Sequence, residues 1–330
     1  MSVAHARRPG LRPGVRGAMI GKTGRGGFEL RAVRKNHGRG DAPKWLMLGA
    51  SGHIGRMLMR VWQDDRCGAL RIIPQFRGDP VPGDGLAWSP LCGADSLRRW
   101  IDRNGAVAGI FMFAGVTPRS RGALDDNAAL TEVTLAAAQA TGIARVIVAS
   151  SAAIYGTAKT ADWCETDDPA PTSAYGKAKL AMEDVCRAWR MRGLDVSCLR
   201  IGNVAGADAA LLNVGEASRT EPVHLHRFAD AKGPVRSYIG VASLARALES
   251  LARHDGPLPP FLNVAAPAPI TMESLLRAAN APFRFVPAPA DAVQRVTLDC
   301  ARLCSLHSFD AGACDPGAMV AEWQRVRDPL

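Results

Sequence analysis

The stretch Lys44-Trp45-Leu46-Met47-Leu48-Gly49-Ala50-Ser51-Gly52-His53-Ile54-Gly55 joins an apolar run to a turn that contains three glycines. The run Lys44–Leu48 predicts a short buried strand. An apolar-periodic helix follows the turn and is expected to end near Gly68. In a strand, glycine turn and helix, the glycines let the backbone approach a pyrophosphate and the helix N-terminus attracts its charge. The stretch therefore predicts the opening of a dinucleotide-binding domain.

Further strands and helices alternate along the chain at a regular pace. Strands are predicted over residues 70–76, 108–114, 145–150, 195–200 and 261–264, and helices over 126–141 and 173–192 and around Leu244, Leu248 and Leu251. This alternation predicts an α/β fold, a Rossmann-type doubly wound parallel sheet. Ligands bind beyond the carboxyl ends of the strands in such sheets. We therefore expect Gly49–Gly55, Gly115, Ser151 and Asn203 to share one crevice.

The residue that follows the second predicted strand favours one form of the cofactor. A dinucleotide site often carries an acid for the adenosine ribose about twenty residues past the glycine turn. Here the chain reads Gln75-Phe76-Arg77, and the first acid is Asp79. A carboxylate would repel a 2′-phosphate, whereas Arg77 could pair with one. The cofactor expected is NAD(P), with NADP favoured over NAD; the alternative is that Arg77 is only a solvated loop residue.

Tyr175 and Lys179 stand four residues apart in the helix predicted over residues 173–192. This spacing puts their side chains on one face, roughly 5–6 Å apart at Cβ. A free phenol has a pKa of about 10, and a neighbouring ammonium favours the phenolate. We therefore expect Lys179 to lower the pKa of Tyr175 toward the range useful for acid–base catalysis. Ser151, at the end of a predicted strand, could hold the substrate oxygen beside it.

Composition bounds the class of protein. The chain has 330 residues, with 47% hydrophobic and 22% charged residues, which are globular values. No apolar run approaches the ~18–20 residues that a membrane span requires, and no secretory core is seen. The eight cysteines lie scattered without a CxxC pair, and His224 and His226 lack a third ligand candidate. We expect a reduced, cytoplasmic, metal-free protein.

The net charge of +10 lies mostly in residues 1–42. That segment has ten Arg or Lys against Glu29 and Asp41, a net of +8, which leaves about +2 for the rest. Rich in Gly, Arg and Pro, it is expected to be a disordered extension or sequence upstream of a true start at Met19. Because the rest of the chain is near neutral, nucleic acid is not an expected partner of the folded part. Two alternatives stay open for the tail: a segment for nucleic acid or another anionic surface, and a transit-like peptide.

Across residues 44–326 the chain resembles the extended short-chain dehydrogenase/reductases, the NAD-dependent epimerase/dehydratase family. The motifs that carry the resemblance are Gly49-x-x-Gly52-x-x-Gly55, Ala114-Gly115, Asn127, Ser150-Ser151-Ala152-Ala153-Ile154-Tyr155-Gly156, Tyr175-x-x-x-Lys179, Arg200-x-x-Asn203-x-x-Gly206 and Arg236-x-Tyr238-Ile239. All three tyrosines of the chain fall inside these motifs.

The resemblance implies a site and a division of the chain. Ser151, Tyr175 and Lys179 would be catalytic, and Ser151, Asn203 and Arg236 would bind substrate. The residues expected at the cofactor are Gly49, Gly52, His53, Ile54, Gly55, Arg77, Ala114, Gly115, Val116, Tyr175 and Lys179. Residues 43–200, with 239–265, would form the dinucleotide-binding domain, and residues 201–238 and 266–330 a smaller α/β substrate-binding part. Family members often pair through helices, so the resemblance is compatible with a homodimer.

Departures from the family pattern narrow the reaction. Related sugar-nucleotide dehydratases place Asp and Glu where this chain has Ala152 and Ala153, which cannot transfer protons. Dehydration is therefore not expected. Arg236 matches a position that contacts the diphosphate in UDP-sugar epimerases. The acids and histidine usual after it are replaced by Ser237, Gly240, Ala242 and Ser243, and the segment before it is short. These changes weigh against a UDP-sugar.

Three hypotheses remain on the sequence. The first is an NAD(P)-dependent epimerase or reductase acting on a secondary alcohol or ketone of a small molecule, a sugar nucleotide included. Its variant is an NADPH-dependent reductase of a small carbonyl compound, which Arg77 favours. The second is a non-catalytic NAD(P)-sensing or interaction protein on the same fold. The third adds a basic tail that tethers the enzyme to nucleic acid.

Overall fold

Apolar strands that are buried on both faces build the centre of the molecule. In the computed structural model the described residues are 42–64, 69–78, 81–157, 159, 161–216 and 222–327. The strands are β1 Lys44–Leu48, β2 Arg71–Phe76, β3 Leu86–Ala87, β4 Gly109–Met112, β5 Arg145–Ser151, β6 Asp195–Ile201, β7 Asn203–Val204, β8 Val223–Arg227, β9 Val235–Arg236, β10 Tyr238–Ile239, β11 Phe261–Val264, β12 Ile270–Thr271, β13 Phe283–Pro287 and β14 Arg295–Val296.

Within these residues seven strands form one parallel sheet in the order β11-β6-β5-β4-β1-β2-β3. The Rossmann-type doubly wound sheet expected from the sequence is confirmed. The remaining strands form small ladders: β10 with β7, β9 with β12 and β14, and β8 with β13.

Helices cover both faces of the sheet. They are α1 His53–Asp64, α2 Asp95–Asn104, α3 Asp126–Ala140, α4 Ala174–Met191, α5 Ala209–Glu216, α6 Val241–Arg253, α7 Met272–Ala278, α8 Ala301–Cys304 and α9 Pro316–Val326, with 3₁₀ turns at Pro90–Cys92 and Ala152–Tyr155. None of these helices is both long and apolar enough to cross a bilayer.

The side chains of β1 show how the core is divided. Trp45 and Met47 pack on one face with residues of α1, α6 and α9. Leu46 and Leu48 pack on the other face with residues of α2, α3 and α4. Because successive side chains of a strand point to opposite faces, a run that is apolar at every position needs cover on both sides. The carboxyl ends of β1, β4 and β5 remain at one edge, where the site lies.

The predicted basic extension, residues 1–42, falls almost wholly outside the described residues, as do residues 65–68, where the first helix was expected to end. Asp79, the first acid after β2, is also outside them. Residues 42–327, where described, belong to one compact unit that begins at Asp41.

Candidate active site

The glycine turn after β1 is closed so tightly that side chains are excluded. Gly49 has a φ of +88°, and a Cβ there would lie 2.5 Å from the backbone nitrogen of Ala114. A Cβ at Gly55 would lie 2.0 Å from the carbonyl oxygen of Gly49. Helix α1 begins at His53, so its first N–H groups face the turn. Such a turn gives an anionic phosphate close access to the backbone.

His53 ties this turn to the loop after β7. Its Nε2 hydrogen-bonds the carbonyl oxygen of Gly206 at 2.8 Å. Ile54, the next residue, is partly buried against the core. The two predicted cofactor residues thus have different surroundings, one polar and exposed and the other apolar.

A second glycine lies beside the turn, in the loop after β4. Asn127 of α3 holds this loop: the N–H of Val116 donates to its Oδ1 at 2.9 Å, and its Nδ2 donates to the Val116 carbonyl at 2.9 Å. A Cβ at Gly115 would lie 2.5 Å from Asn127 Oδ1 and 3.7 Å from Lys179 Nζ. The loop therefore runs between the glycine turn and the lysine of the candidate catalytic set.

Ser151 and Tyr175 meet at the carboxyl end of β5. Ser151 is the last residue of the strand, and its Oγ also accepts a hydrogen bond from the N–H of Ala153 at 3.2 Å. Tyr175 is the second residue of α4, whose N-cap Ser173 accepts from the N–H of Gly176 at 3.0 Å. Burial raises the pKa of Tyr175, and a hydrogen bond with Ser151 acts in the opposite direction.

Lys179 lies one helical turn further along α4, with its ammonium turned toward the sheet. Its Nζ donates to the carbonyl oxygen of Ala149 at 2.8 Å and is 5.9 Å from the ring centroid of Tyr175. Burial lowers the pKa of Lys179 to about 8. We expected Lys179 to lower the pKa of Tyr175, and for the protein without ligands this was wrong. Burial of the phenol outweighs the contact with Ser151, and the ammonium is directed at Ala149.

A cavity of about 360 Å³ opens next to Ser151. It brings together the three predicted substrate-binding residues Ser151, Asn203 and Arg236. Its other lining residues are Ala152, Ala153, Gly156, Thr157, Thr172, Ser173, Ile201, Gly202, Ser237, Val296 and Leu298. Arg236 is the charged side chain among them, and none of these described lining residues carries a carboxylate. The cavity therefore suits a neutral or anionic molecule.

Carbonyl oxygens hold the guanidinium of Arg236 in place. Its Nη1 donates to Val235 at 2.8 Å and to Gln294 at 2.7 Å, and its Nη2 donates to Val293 at 2.9 Å. Burial lowers the pKa of Arg236. The positive charge is thus fixed at the cavity by neutral partners.

Two other predicted features lie elsewhere. Arg77 is exposed directly after β2, the strand next to β1, at the same edge of the sheet as the glycine turn. His224 lies on β8, where the Nε of Arg284 donates to its Nε2 at 2.6 Å. No group of three or more His, Cys, Asp or Glu within the described ranges is arranged to hold a metal ion.

Sequence reasoning missed a buried polar cluster beneath the site. Glu183 accepts hydrogen bonds from Ser150 Oγ at 2.6 Å and from Arg200 Nη2 at 2.9 Å. Arg200 also donates to Tyr155, whose hydroxyl donates to Asn263. The signal that could have found Glu183 is its spacing of four residues from Lys179, which puts it on the same helical face.

The residues present fit a dinucleotide. Glycines that admit no Cβ, a helix N-terminus at the turn and a second loop held by Asn127 form a cradle at one sheet edge. The model of the NAD dependent epimerase/dehydratase family matches residues 45–254.

Relatives with known activities agree with that family. UDP-glucose 4-epimerase of Azospirillum brasilense is 30% identical over 194 residues, which cover 56% of this chain and 55% of that enzyme. The chain thus matches only about half the length of that relative.

Solved structures share the fold across nearly their whole length. MoeE5 in complex with UDP-glucuronic acid and NAD has a TM-score of 0.67 at 23% identity, over 86% of this chain and 99% of that one. UDP-glucuronic acid 4-epimerase of Bacillus cereus, in complex with UDP-glucuronic acid and NAD, has a TM-score of 0.67 at 16% identity, over 86% of this chain and 98% of that one.

Proposed function

The chain belongs to the NAD dependent epimerase/dehydratase family, and on that premise we propose that it is an NAD(P)-dependent epimerase acting on a secondary alcohol of a sugar nucleotide. One observation supports the proposal most. The Tyr175 hydroxyl, the Ser151 hydroxyl and the Lys179 ammonium gather at the carboxyl end of β5, between the glycine cradle and a cavity that bears Arg236.

The proposed chemistry assigns one task to each side chain. The cradle of Gly49, Gly52, Gly55 and Gly115 would hold a nicotinamide dinucleotide, which would supply reversible hydride transfer at the substrate carbon. Tyr175 takes the hydroxyl proton of the substrate and later gives it back. Ser151, which lies against Tyr175, orients the reacting oxygen. Lys179 would bind the nicotinamide ribose, and its positive charge would favour the phenolate in that complex, whereas in the protein without ligands burial of the phenol outweighs it.

The cavity beside Ser151 is the proposed substrate site. Asn203 and Arg236 line it, and the fixed guanidinium offers a partner for a phosphate or carboxylate group. Residues 201–238 and 266–330, which supply Asn203, Arg236, Val296 and Leu298 to the lining, are proposed as the substrate-binding part. Ala152 and Ala153 carry no transferable proton, so epimerisation is favoured over dehydration.

The form of the cofactor is a separate part of the proposal. NAD is named in both solved complexes described above. Arg77, exposed at the end of β2, favours NADP and with it the alternative of an NADPH-dependent carbonyl reductase. We expect Arg77→Asp to weaken NADP binding about tenfold or more while NAD binding changes little, because a carboxylate repels the 2′-phosphate. Equal NADP affinity in fluorescence titrations of the two proteins would remove Arg77 from the site.

A direct test begins with the nucleotide that the purified protein retains. Bound NAD released on denaturation, together with conversion of UDP-glucose or UDP-glucuronic acid into its 4-epimer, would support the epimerase. Consumption of NADPH with a ketone would support the reductase instead. Cytoplasmic location and a homodimer belong to the same proposal, and light scattering of the purified protein tests the latter.

Tyr175→Phe tests the proton-transfer role. We expect the variant to lose at least about 99% of turnover, because removing an acid–base group costs about 10²–10⁴-fold. Its dinucleotide affinity should stay near that of the wild type, since only one oxygen is removed. Thr141→Val, at the C-terminal end of α3 and outside the cavity, is the control for loss of a hydroxyl. Turnover in Tyr175→Phe equal to that of the control would reject the mechanism.

A further inference from the structure

Three residues of α4, spaced four apart, hold three consecutive residues at the end of β5. Tyr175 lies against Ser151, whose hydroxyl acts to lower the pKa of the phenol. Lys179 donates to the Ala149 carbonyl at 2.8 Å. Glu183 accepts from Ser150 Oγ at 2.6 Å. Because residues at this spacing share one helical face, the face that carries the proposed catalytic pair also carries a carboxylate.

Glu183 is held equally firmly from the neighbouring strand. Its side chain is 0% exposed, and that of its partner Arg200 on β6 is 2% exposed. The Nε and Nη2 of Arg200 both donate to the carboxylate, at 3.3 Å and 2.9 Å. Burying two charges costs about as much as their attraction returns, so such a pair is weak evidence for a role in stability. Its position next to the site calls for another explanation.

We propose that Glu183 is a positioning residue, which holds Ser150 and thereby fixes Ser151 against Tyr175. The proposal rests on the function proposed above. Glu183 touches neither the cavity nor the glycine cradle, and it acts through Ser150. A shift of about 1 Å in a reacting group can cost about 10²-fold in rate, so a bond that fixes Ser151 has a measurable value.

The same carboxylate has an electrostatic consequence for Lys179. Titratable groups that face Lys179 are Tyr175, Glu183 and Cys186 on α4 and Cys198 on β6, with Arg200 behind Glu183; the ends of β5 and of the Gly115 loop contribute none. Hydrogen bonding with Cys186 and burial hold the pKa of Cys198 well above its usual value, so that thiol is neutral near pH 7. Among the groups that oppose the effect of burial on the pKa of Lys179, after Cys198 and Cys186, Glu183 is the carboxylate.

Glu183→Gln tests both consequences, because it keeps the shape and removes the charge. We expect kcat to fall about tenfold or more. We also expect the alkaline limb of the kcat profile, set by Lys179 near pH 8, to move to lower pH by about half a unit or more. Hydrogen–deuterium exchange of the segment 149–156 in the full chain should quicken, and this readout needs no activity.

Three companion variants distinguish an effect on the position of Ser151 from effects on the pKa of Lys179 and on the stability of the protein. Asp184→Asn removes a charge from the next residue, which is exposed and paired with Arg187, and should leave every readout unchanged. Ser150→Ala should lower kcat and quicken the exchange without moving the alkaline limb. In Glu183→Gln alone, Arg200 loses its negative partner. Combining Glu183→Gln with Arg200→Met removes that unpaired charge, so Tm should be restored while the alkaline limb of the kcat profile stays displaced.

The outcomes distinguish failure of the proposed function from failure of the positioning role of Glu183. If the wild type converts no sugar nucleotide, the proposed function fails, and the exchange of segment 149–156 still decides whether Glu183 positions the strand end. If the wild type is active and Glu183→Gln retains kcat within about twofold, with an unmoved limb and unchanged exchange, the positioning role is overturned. If the double variant regained both the wild-type Tm and the wild-type alkaline limb of the kcat profile, the role of Glu183 would be structural only.

Discussion

The charged ammonium of Lys179 is buried, and this burial destabilises the folded protein. Lys179 is 6% exposed, and burial lowers its pKa from 10.5 to about 8. The folded protein therefore binds this proton less tightly than the unfolded chain does. The stability cost is fully present below pH 8 and falls as the pH rises through 8 toward 10.5. Such a cost is typical of a group kept for function, since stability and activity often oppose each other at a site.

Lys179→Met should therefore stabilise the protein without ligands. The shift of the pKa corresponds to about 3 kcal/mol at most, and loss of the bond to Ala149 offsets about 1–2 kcal/mol of it. We expect Tm at pH 7 to rise by about 3 °C, with a smaller rise at pH 9. Scanning calorimetry at both pH values measures this.

Lys177→Met provides the control, because Lys177 lies on the same helix and is exposed. Its Tm should change little at either pH. A lower Tm for Lys179→Met at pH 7, or a gain that is the same at pH 9, would show that burial of the ammonium carries no such cost.

The residues of the site differ in how far the sequence could reveal them. Ser151, Tyr175, Lys179, Asn203 and Arg236 lie in motifs that could be recognised from the sequence by the spacing of their residues. The roles assigned to them stay predictions. A motif does not specify which groups a side chain contacts in the folded protein. Burial of Tyr175 and the direction of the Lys179 ammonium depend on packing between α4 and β5, which the sequence leaves open.

At the level of elements, long periodic segments were predictable and short ones were not. The strand Phe261–Val264 was predicted with its observed bounds, and α4 was predicted to within one residue at each end. The two-residue strands, such as β3 Leu86–Ala87, were missed because two residues carry no period. Their pairing is fixed by distant partners, as in the ladder of β14 with β9.

The junction of α6 and α9 shows an element held by a side chain from far along the sequence. Glu322 of α9 lies at the N-terminus of α6, where its Oε2 accepts from the N–H of Ala242 at 2.9 Å and its Oε1 from Ser243 Oγ at 3.0 Å. A Cβ at Gly240 would lie 2.0 Å from this carboxylate, so a larger residue there would displace the Glu322 side chain. A negative charge at a helix N-terminus also interacts favourably with the helix dipole.

Glu322→Ala should lower the free energy of unfolding by about 2 kcal/mol, because the first N–H groups of α6 lose their partner while staying partly buried. Urea denaturation followed by circular dichroism measures the change. Glu273→Ala is the control, since Glu273 pairs with Arg277 on one exposed helix face and such a pair contributes about 0.3–0.5 kcal/mol. Equal effects of the two variants would remove the special role of the α6–α9 contact.

In the whole molecule, most of the net positive charge and the hydrophobic core lie in different parts of the sequence. Residues 1–42 carry a net charge of +8 out of +10, whereas the parallel sheet begins at Lys44 and its hydrophobic clusters, as far as the described residues go, begin at Trp45. The charge that would attract a polyanion and the structure that would bind a dinucleotide are thus separable in sequence. Deleting residues 1–42 therefore tests whether polyanion binding and dinucleotide binding depend on different parts of the chain.

A chain that starts at residue 43 should unfold cooperatively, with a Tm within about 2 °C of the full chain and the same dinucleotide affinity, since a segment poor in apolar residues contributes little to a core. If the full chain binds RNA or DNA, the affinity should fall with added salt in proportion to the phosphates contacted, and the shortened chain should lose that binding. Fluorescence anisotropy of a labelled oligonucleotide at 50 and 200 mM salt measures it. Polyanion binding that survives the deletion would place it on the folded part, and loss of dinucleotide binding would place residues 1–42 in the site.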